Sequence, residues 1–444
     1  MRSRASWART VFLVASAFAG GALTSHLAGA TTQAASPYAP LDQLARVLVL
    51  VENQYVEPAQ RTKVAEGAIK GMVAELDPHS AYMTPAEFAL FQGETEGKFG
   101  GVGVEVDFKN DYVTVIAPIE GSPAARAGIR PGDQILSIDG RPMRGERIDK
   151  LVGLMRGPAG SPVKLMIRRP GVAEPLTFEL HREEIHVTSV VGKRLVNDVA
   201  YLRLKQFQEG THDELLRVTA KLRAESKTPL TGVILDMRNN PGGLVDEAEA
   251  VADEFLATGV IYTTRHRGQV VDEAKAHDGG AFAALPVVTL VNEYSASSAE
   301  LVAGALQDSR RATIVGAPTF GKGSVQTIFD LPGGAGLRLT TMRYYTPSGR
   351  SIQAEGIKPD ILIQGALPTG PGEVVRERDL EGHLPAEQGG NADAKQTVMV
   401  DPGHPKDPAQ ADPGREIPID PVKGGDFPLS VGYQILIKTI GDKR

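Results

Sequence analysis

Strands and helices alternate along the second half of this sequence, and the alternation limits the folds that it can adopt. Apolar runs predict strands at 199–204, 232–236 and 287–291, and apolar residues at helical spacing predict helices at 211–227 and 244–256. Strands that are connected through helices pair in parallel. The sequence therefore predicts a layered α/β core with a largely parallel sheet.

A serine-rich turn follows the strand at 287–291. Ser295, Ser297 and Ser298 precede apolar residues at helical spacing, so they lie where a strand gives way to a helix N-terminus. Backbone N–H groups at such an end are unpaired and point outward. Serines at this position commonly only cap the helix, and that interpretation stays open.

A glycine-rich loop at 316–324 follows the next strand and carries one charged residue, Lys322. Flanking glycines let the backbone fold tightly and bring the ammonium towards the serine turn. A neutral lysine can take a proton from a serine hydroxyl. That role near pH 7 requires the lysine pKa to fall by about 3 units, which burial can supply and solvent exposure cannot. A solvated lysine is the alternative.

The same loop partly matches a phosphate-binding P-loop, because Gly316, Gly321 and Lys322 have the required spacing. The next position should be Ser or Thr for a magnesium ion, but it is Gly323. Residues 325–329 predict a strand where a P-loop needs a helix N-terminus. A nucleotide-binding protein is therefore kept only as an alternative.

The stretch 287–326 resembles the carboxyl-terminal processing peptidases, also called tail-specific proteases. In that family a Ser-Ala-Ser-Ala-Ser-Glu type turn carries the nucleophile, and a Thr-Phe-Gly-Lys-Gly loop carries the base 25 residues later. Here 322 minus 297 is 25, so the resemblance implies Ser297 as nucleophile and Lys322 as base. It also implies that Gln326 orients the lysine. Ser298-Ala299 stands where the family usually has Ala-Ser.

A second glycine-rich loop follows the strand at 232–236. A tetrahedral intermediate needs two N–H donors about 3 Å from its oxyanion. The resemblance implies that Gly242 or Gly243 supplies one donor and Ser298 the other, and that the core has the crotonase/ClpP-like fold. Without the resemblance, this Pro-Gly-Gly segment is an ordinary turn.

Residues 97–182 predict a compact β-rich module ahead of the core. The segment 121–140 closely resembles a PDZ domain. A glycine-rich loop that opens an alternating strand has free N–H groups, which suit the terminal carboxylate of a peptide. The predicted substrate-binding residues are Gly100, Gly101, Val102, Gly103 and Val104.

A helix at 147–155 would form the other wall of this groove, with Leu151 and Leu154 available for apolar tails. Arg168 and Arg169 end a predicted strand of the module. In some relatives an arginine near this position switches the protease on through the PDZ domain. The alternative is a solvated strand end.

The first 30 residues predict a signal peptide. Basic residues precede an apolar run at 11–23, and Ala28-Gly29-Ala30 fits a cleavage site. The run is 13 residues long, which is short for a membrane span. We therefore expect a periplasmic or secreted protein, with an uncleaved, membrane-associated segment as the alternative. Residues 31–96 predict a helical segment whose His79, in an Asp-Pro turn, is interpreted as structural.

Composition argues against several function classes. The net charge of −6 and the pI near 5.9 give no basic surface for nucleic acid. The absence of cysteine excludes disulfides, Cys-zinc sites and thiol catalysis. The nine histidines show no His-Glu-x-x-His spacing, so we expect neither a metal site nor a cofactor.

The resemblance extends over about 41–360. After the β-rich module, we expect three further parts: a serine protease core at 183–364, a flexible Pro/Gly/Asp-rich linker at 365–426 and a C-terminal segment at 427–444. Within the linker only 379–384 is similar to the family.

The resemblance implies a serine endopeptidase with a Ser-Lys dyad. Its substrates would be unfolded or maturing proteins, recognised by apolar C-termini through the PDZ domain. An activating adaptor protein and a homo-oligomer are left open. The alternative is a non-enzymatic PDZ adaptor or chaperone with a degenerate protease core.

Overall fold

The computed structural model describes residues 38–109, 112–146, 148–364, 375–387, 396–400 and 417–442. The predicted signal peptide, 1–30, lies outside them. The chain divides into two units, the first ending at Ile69 and the second beginning at Lys70. Within the described ranges, no helix is both long and apolar enough to cross a membrane.

The first unit contains helix α1, Ala39–Gln54, and most of helix α2, Arg61–Ala74. The Arg61 guanidinium donates to the Glu52 carboxylate at 2.5 and 2.7 Å. Leu44 of α1 is 50% exposed, and none of the residues of this helix is buried among the described parts of the chain.

The second unit opens with a turn at Asp77, followed by β1, Ala81–Met83, α3, Pro85–Thr95, and β2, Lys98–Gly101. The Asp77 carboxylate fixes the turn, because it accepts hydrogen bonds from the N–H groups of His79 and Ser80 at 2.8 and 2.9 Å. Side chains that accept from nearby N–H groups in this way stabilise tight turns.

A β-rich domain follows. Its elements are β3 (Val104–Lys109), β4 (Tyr112–Pro118), α4 (Pro123–Arg126), β5 (Gln134–Ile138), β6 (Arg141–Pro142), α5 (Ile148–Met155), β7 (Pro162–Arg168) and β8 (Leu176–His181). The strands form an antiparallel sheet in the order β3-β4-β5-β7-β8, and β6 pairs with β5. Leu151 of α5 is completely buried in this domain's core. The prediction that Leu151 is available to a bound tail is therefore wrong, whereas Leu154 is partly buried at the edge of the core.

Strand β9, Glu183–His186, pairs with β2 and leads into the α/β core. The core elements are β10 (Val190–Arg194), β11 (Val199–Leu204), α6 (Thr211–Ala224), β12 (Gly232–Asp236), α7 (Val245–Asp253), β13 (Val260–His266), β14 (Gln269–Lys275), β15 (Val287–Val291), α8 (Ser298–Asp308), β16 (Ala312–Gly316), β17 (Ser324–Asp330), β18 (Gly336–Tyr345), β19 (Ile361–Gln364), β20 (Thr397–Val400) and α9 (Phe427–Asp442).

Within the described residues, seven strands form the central sheet in the order β10-β11-β12-β15-β16-β19-β20, and every neighbouring pair except β10 and β11 is parallel. Successive residues of a strand point to opposite faces. Val233 and Leu235 accordingly pack in the cluster that contains α6, α7 and α8, whereas Ile234 packs with α9. The predicted layered α/β core is confirmed.

A second, antiparallel sheet lies beside the core. Strand β18 pairs with β1, β13 and β17, and β14 pairs with β13. The pairing of Ala81 with Arg338 brings the Asp77 turn close to β18.

The structure differs from the predicted linker at 365–426. Residues 375–387 pack on the core, and Glu377, which begins the 3-10 turn Glu377–Asp379, is completely buried. These residues lack periodicity because side-chain hydrogen bonds, described below, hold them instead of a regular helix or strand. The Asp426 carboxylate accepts two hydrogen bonds from Arg238 at 2.9 Å, which anchors the start of α9.

Candidate active site

Ser297 lies between β15 and α8 in a strained backbone conformation. Its φ and ψ angles are 54° and −118°. A non-glycine residue rarely adopts a positive φ, and such strain is concentrated at functional sites. Ser297 is 8% exposed and forms a capping pair with Glu300 at the start of α8. Among the described residues, its hydroxyl donates no hydrogen bond to another side chain.

The hydroxyl groups of the two neighbouring serines both donate hydrogen bonds to backbone carbonyl oxygens. Ser295 Oγ donates to the carbonyl oxygen of Met237 at 2.8 Å, and Ser298 Oγ donates to that of Gly243 at 2.9 Å. The exchange of Ala-Ser for Ser298-Ala299 thus adds a hydrogen bond between the serine turn and the glycine loop.

Gly242 and Gly243 lie directly against the serine turn. A β-carbon on Gly242 would be 2.8 Å from Ser297 Cβ, so only glycine fits. The Gly242 N–H already donates to Asn240 Oδ1 at 2.9 Å. Within the described ranges, the N–H groups of Gly243 and Ser298 have no partner. Of the two predicted glycine donors, Gly243 is the one left available to an oxyanion.

Lys322 lies in the loop between β16 and β17, with its side chain largely buried. Burial lowers the pKa of Lys322 to about 8, and the nearby Arg338 acts in the same direction. The negative charges of Glu377, Glu300 and Asp77 oppose this shift. The lysine pKa therefore moves in the direction that a general base at neutral pH requires.

The Glu300 carboxylate connects the serine turn to the lysine loop. One oxygen accepts hydrogen bonds from Thr319 Oγ1 at 2.5 Å and from the Gly321 N–H at 2.7 Å. The other accepts from the N–H groups of Ser297 and Lys322, both at 2.8 Å. Glu300 is completely buried, and burial raises its pKa to about 7. Glu300 therefore holds the Ser297 turn and the Lys322 loop together, and we call this set of hydrogen bonds the Glu300 clamp.

Among the described residues, Gln326 makes no hydrogen bond to Lys322. Its Nε2 donates to Ser324 Oγ at 2.9 Å and to Thr340 Oγ1 at 3.2 Å. The described contacts also include no hydrogen bond between Ser297 Oγ and Lys322 Nζ. The role of Gln326 in orienting the lysine stays a prediction.

The segment after Lys322 cannot form a phosphate cradle. Residues Ser324–Asp330 are strand β17, which pairs with β18. A P-loop needs a helix N-terminus at this position. The described ranges also contain no group of three or more metal-ligating side chains.

The predicted carboxylate-binding loop lies between β2 and β3. The carbonyl oxygens of Gly100 and Val102 accept hydrogen bonds from Gly157 and Ala124, both at 2.9 Å. Among the described residues, the N–H groups of Val102 and Gly103 have no partner, and Gly103 has a φ of 75°. Gly101 ends β2 and Val104 begins β3, so these two N–H groups belong to the short loop between the strands.

Arg168, the last residue of β7, and the adjacent Arg169 both make hydrogen bonds within the β-rich domain. Arg169 donates to both oxygens of the Asp133 carboxylate at 2.8 Å. Arg168 donates to Gln134 Oε1 at 2.8 Å, and its guanidinium lies 4.7 Å from the centre of the Tyr112 ring.

The sequence analysis assigned no role to three residues near Ser297 and Lys322: Glu300, Gln353 and Glu377. Glu300 had a detectable signal, because a glutamate three residues after a serine is typical of a helix start in which the two residues bond each other. Gln353 and Glu377, which contact the lysine loop, follow no local pattern that would place them there.

Comparison with protein families gives three matches. They are peptidase family S41 at residues 198–363, a PDZ domain at 114–169 and the N-terminal domain of the activating protease CtpB at 11–86. These matches, together with the fold, define a serine protease with an inserted PDZ domain.

Individual relatives are similar over most of the chain. A carboxy-terminal-processing protease of Bartonella bacilliformis is 41% identical over 408 residues, which cover 90% of this chain and 94% of the relative. A probable CtpA-like serine protease of Staphylococcus aureus is 37% identical over 73% of this chain and 65% of its own length. The solved photosystem II D1 C-terminal processing protease is 30% identical, with a TM-score of 0.46 and coverage of 77% of this chain and 92% of its own. The chain belongs to the carboxy-terminal-processing protease family.

Proposed function

We propose that this protein is an endopeptidase with Ser297 as nucleophile and Lys322 as general base, and that its PDZ domain selects substrates by their C-terminal tails. The Glu300 clamp carries the proposal, because one buried carboxylate holds the backbone of both residues. The lowered pKa of Lys322, about 8, supports it further, since a base is most effective when its pKa is near the working pH.

In the proposed reaction, Ser297 Oγ attacks the scissile carbonyl carbon, and its proton passes to the neutral Lys322 Nζ. The carbonyl oxygen becomes an oxyanion, which the N–H groups of Gly243 and Ser298 stabilise. Lys322 then gives the proton to the leaving amine as the C–N bond breaks. Water hydrolyses the acyl-enzyme through the same groups.

Substrate binding has to bring Ser297 Oγ and Lys322 Nζ together, because they share no hydrogen bond here. Catalytic hydrogen bonds often tighten only in the substrate complex. This separation is also the observation that favours the second candidate, a non-enzymatic PDZ adaptor or chaperone. Binding of an activating adaptor protein would also bring Ser297 Oγ and Lys322 Nζ together.

The proposed tail preference rests on the free N–H groups of Val102 and Gly103. A terminal carboxylate would accept hydrogen bonds from them, and the preceding residues would extend along β3. An apolar last side chain would lie near Leu154. Unfolded or maturing proteins expose such tails, and we propose that the protein meets them after export through the signal peptide.

A peptide with a free apolar C-terminus is expected to be cut at least about tenfold faster than the same peptide with a C-terminal amide. Hydrogen bonds to a charged group are worth about 1.5–3 kcal/mol, and the amide loses that charge. The measurement is kcat/KM for both peptides, with N-terminal acetylation of each as the control for charge at the other end. Equal rates would remove tail recognition from the proposal and leave the dyad unaffected.

Activity is expected to rise with pH between 6 and 9. Only the neutral form of Lys322 accepts the serine proton, and with a pKa of about 8 about one tenth of it is neutral at pH 7. Protonation of Glu300 around pH 7 would weaken the clamp and lower activity in the same direction. The measurement is kcat/KM against pH with a substrate that does not titrate in this range. A rate that falls from pH 6 to 8 would contradict a lysine base.

A further inference from the structure

We call the described segment 375–387 the C-terminal strap. It lies beyond residue 363, where the match to peptidase family S41 ends. It packs on the loop that carries Lys322. The Glu377 N–H donates to the Phe320 carbonyl oxygen at 3.2 Å, and Gln353 Nε2 donates to that of Leu384 at 3.1 Å. The strap is therefore attached to the lysine loop both directly and through Gln353.

The Glu377 carboxylate is the buried centre of this contact. One oxygen accepts a hydrogen bond from Gln353 Nε2 at 2.8 Å, and the other lies 2.7 Å from His79 Nε2. Gln353 Oε1 in turn accepts the Gly323 N–H at 3.0 Å. A single side chain thus separates Glu377 from the residue that follows Lys322.

The lysine loop is consequently held from two sides. Glu300 binds the N–H groups of Gly321 and Lys322. The strap binds the preceding residue, Phe320, directly, and Gln353, which it holds, binds the following residue, Gly323. The two backbones pack closely here, because a β-carbon on Gly323 would be 2.3 Å from the backbone nitrogen of Gln353. Buried polar networks that are fully satisfied specify one arrangement of the groups they join.

We propose that Glu377, paired with His79 and acting through Gln353, is a positioning residue that holds Lys322 in its working orientation. This inference rests on the proposed role of Lys322 as base. It makes the Asp77–Ser80 turn and the C-terminal strap functional parts of the active site, although they lie outside the matched peptidase segment.

The charges around Lys322 provide a readout that a purely structural role would not change. Arg338 lowers the pKa of Lys322, whereas Glu377, Glu300 and Asp77 raise it. Removing the charge of Glu377 should therefore lower the lysine pKa. Loss of activity on acidification, which follows protonation of the lysine, should then occur at lower pH.

Glu377→Gln is expected to lower kcat by about 10- to 100-fold, because small displacements of a catalytic group are costly. KM should change by less than about twofold, since the tail-binding loop is elsewhere. The acidic limb of the kcat/KM profile should move to lower pH. Glu381→Gln makes the same change at an exposed position of the strap and should behave as wild type.

His79→Gln tests the pairing, and its effect should not add to that of Glu377→Gln in the double variant, because the two residues act as a unit. Melting temperatures show whether each variant is folded at the assay temperature. An unchanged kcat and pH profile in folded Glu377→Gln would overturn the inference, as would a loss explained entirely by its unfolded fraction. Cleavage that persists without Lys322 would instead overturn the proposed dyad.

Discussion

Replacing Lys322 by methionine is expected to lower kcat/KM by about 10³-fold or more, because general base catalysis contributes about 10²–10⁴ and Ser297 would lose its proposed proton acceptor. Methionine retains the apolar part of the side chain and removes only the amine. The measurement is kcat/KM with purified wild type and variant on one tailed peptide.

The same variant should be more stable than wild type at pH 7. The folded pKa of Lys322, about 8, lies below its ordinary 10.5, so the unfolded chain binds this proton more tightly. The cost is fully present below pH 8 and disappears as the pH rises towards 10.5. It is at most about 3 kcal/mol. The difference in melting temperature between variant and wild type should therefore shrink from pH 7 to pH 10.

Lys322→Arg separates a base from a fixed positive charge. Arginine keeps the charge but remains protonated, since its pKa is above 12. We expect the arginine variant to be as inactive as the methionine variant. Substantial activity in the arginine variant would contradict proton transfer to residue 322.

Glu300→Gln is expected to lower kcat by about 10²-fold and to destabilise the protein by about 2–3 kcal/mol. Both carboxylate oxygens accept hydrogen bonds, from four donors in total. An amide offers one accepting oxygen, so in either orientation its NH₂ group faces two donors. The Ser297 turn and the Lys322 loop would then lose their common anchor. The measurements are kcat and the free energy of unfolding in urea.

Thr319→Ser is the matched control for that variant. Serine keeps the hydroxyl that donates to Glu300 and accepts the Ile357 N–H at 2.7 Å. We expect nearly normal activity from it. If Glu300→Gln were equally active, the shared carboxylate would not be what positions the two segments.

The sequence predicts the features of this site that depend on local pattern. Strands β12 and β15 are largely apolar and are buried along their whole length, and such runs indicate strands covered on both faces. Ser297 and Lys322 follow from a fixed spacing within a family motif. The spacing does not show that Glu300 joins them, although its position three residues after Ser297 is typical of a capping pair.

Other features depend on contacts between residues far apart in the sequence. Glu377 reaches His79 across 298 positions, and no periodicity marks either residue as a partner. Two glycines were equivalent as predicted oxyanion donors, and only the hydrogen bond from Gly242 to Asn240 distinguishes them. Helical spacing alone does not show which apolar residues of a short helix are buried, and the prediction for Leu151 fails for that reason.

The most direct test of the proposed dyad is the intact mass of a tailed protein substrate after incubation with wild type, Ser297→Ala and Lys322→Ala, each with and without envelope extract. An extract incubated alone gives the background. We predict cleavage fragments above that background with wild type only. Equal cleavage by all three proteins would contradict the assignment of Ser297 and Lys322, and no cleavage by any of them, even with extract, would favour a binding protein over an enzyme.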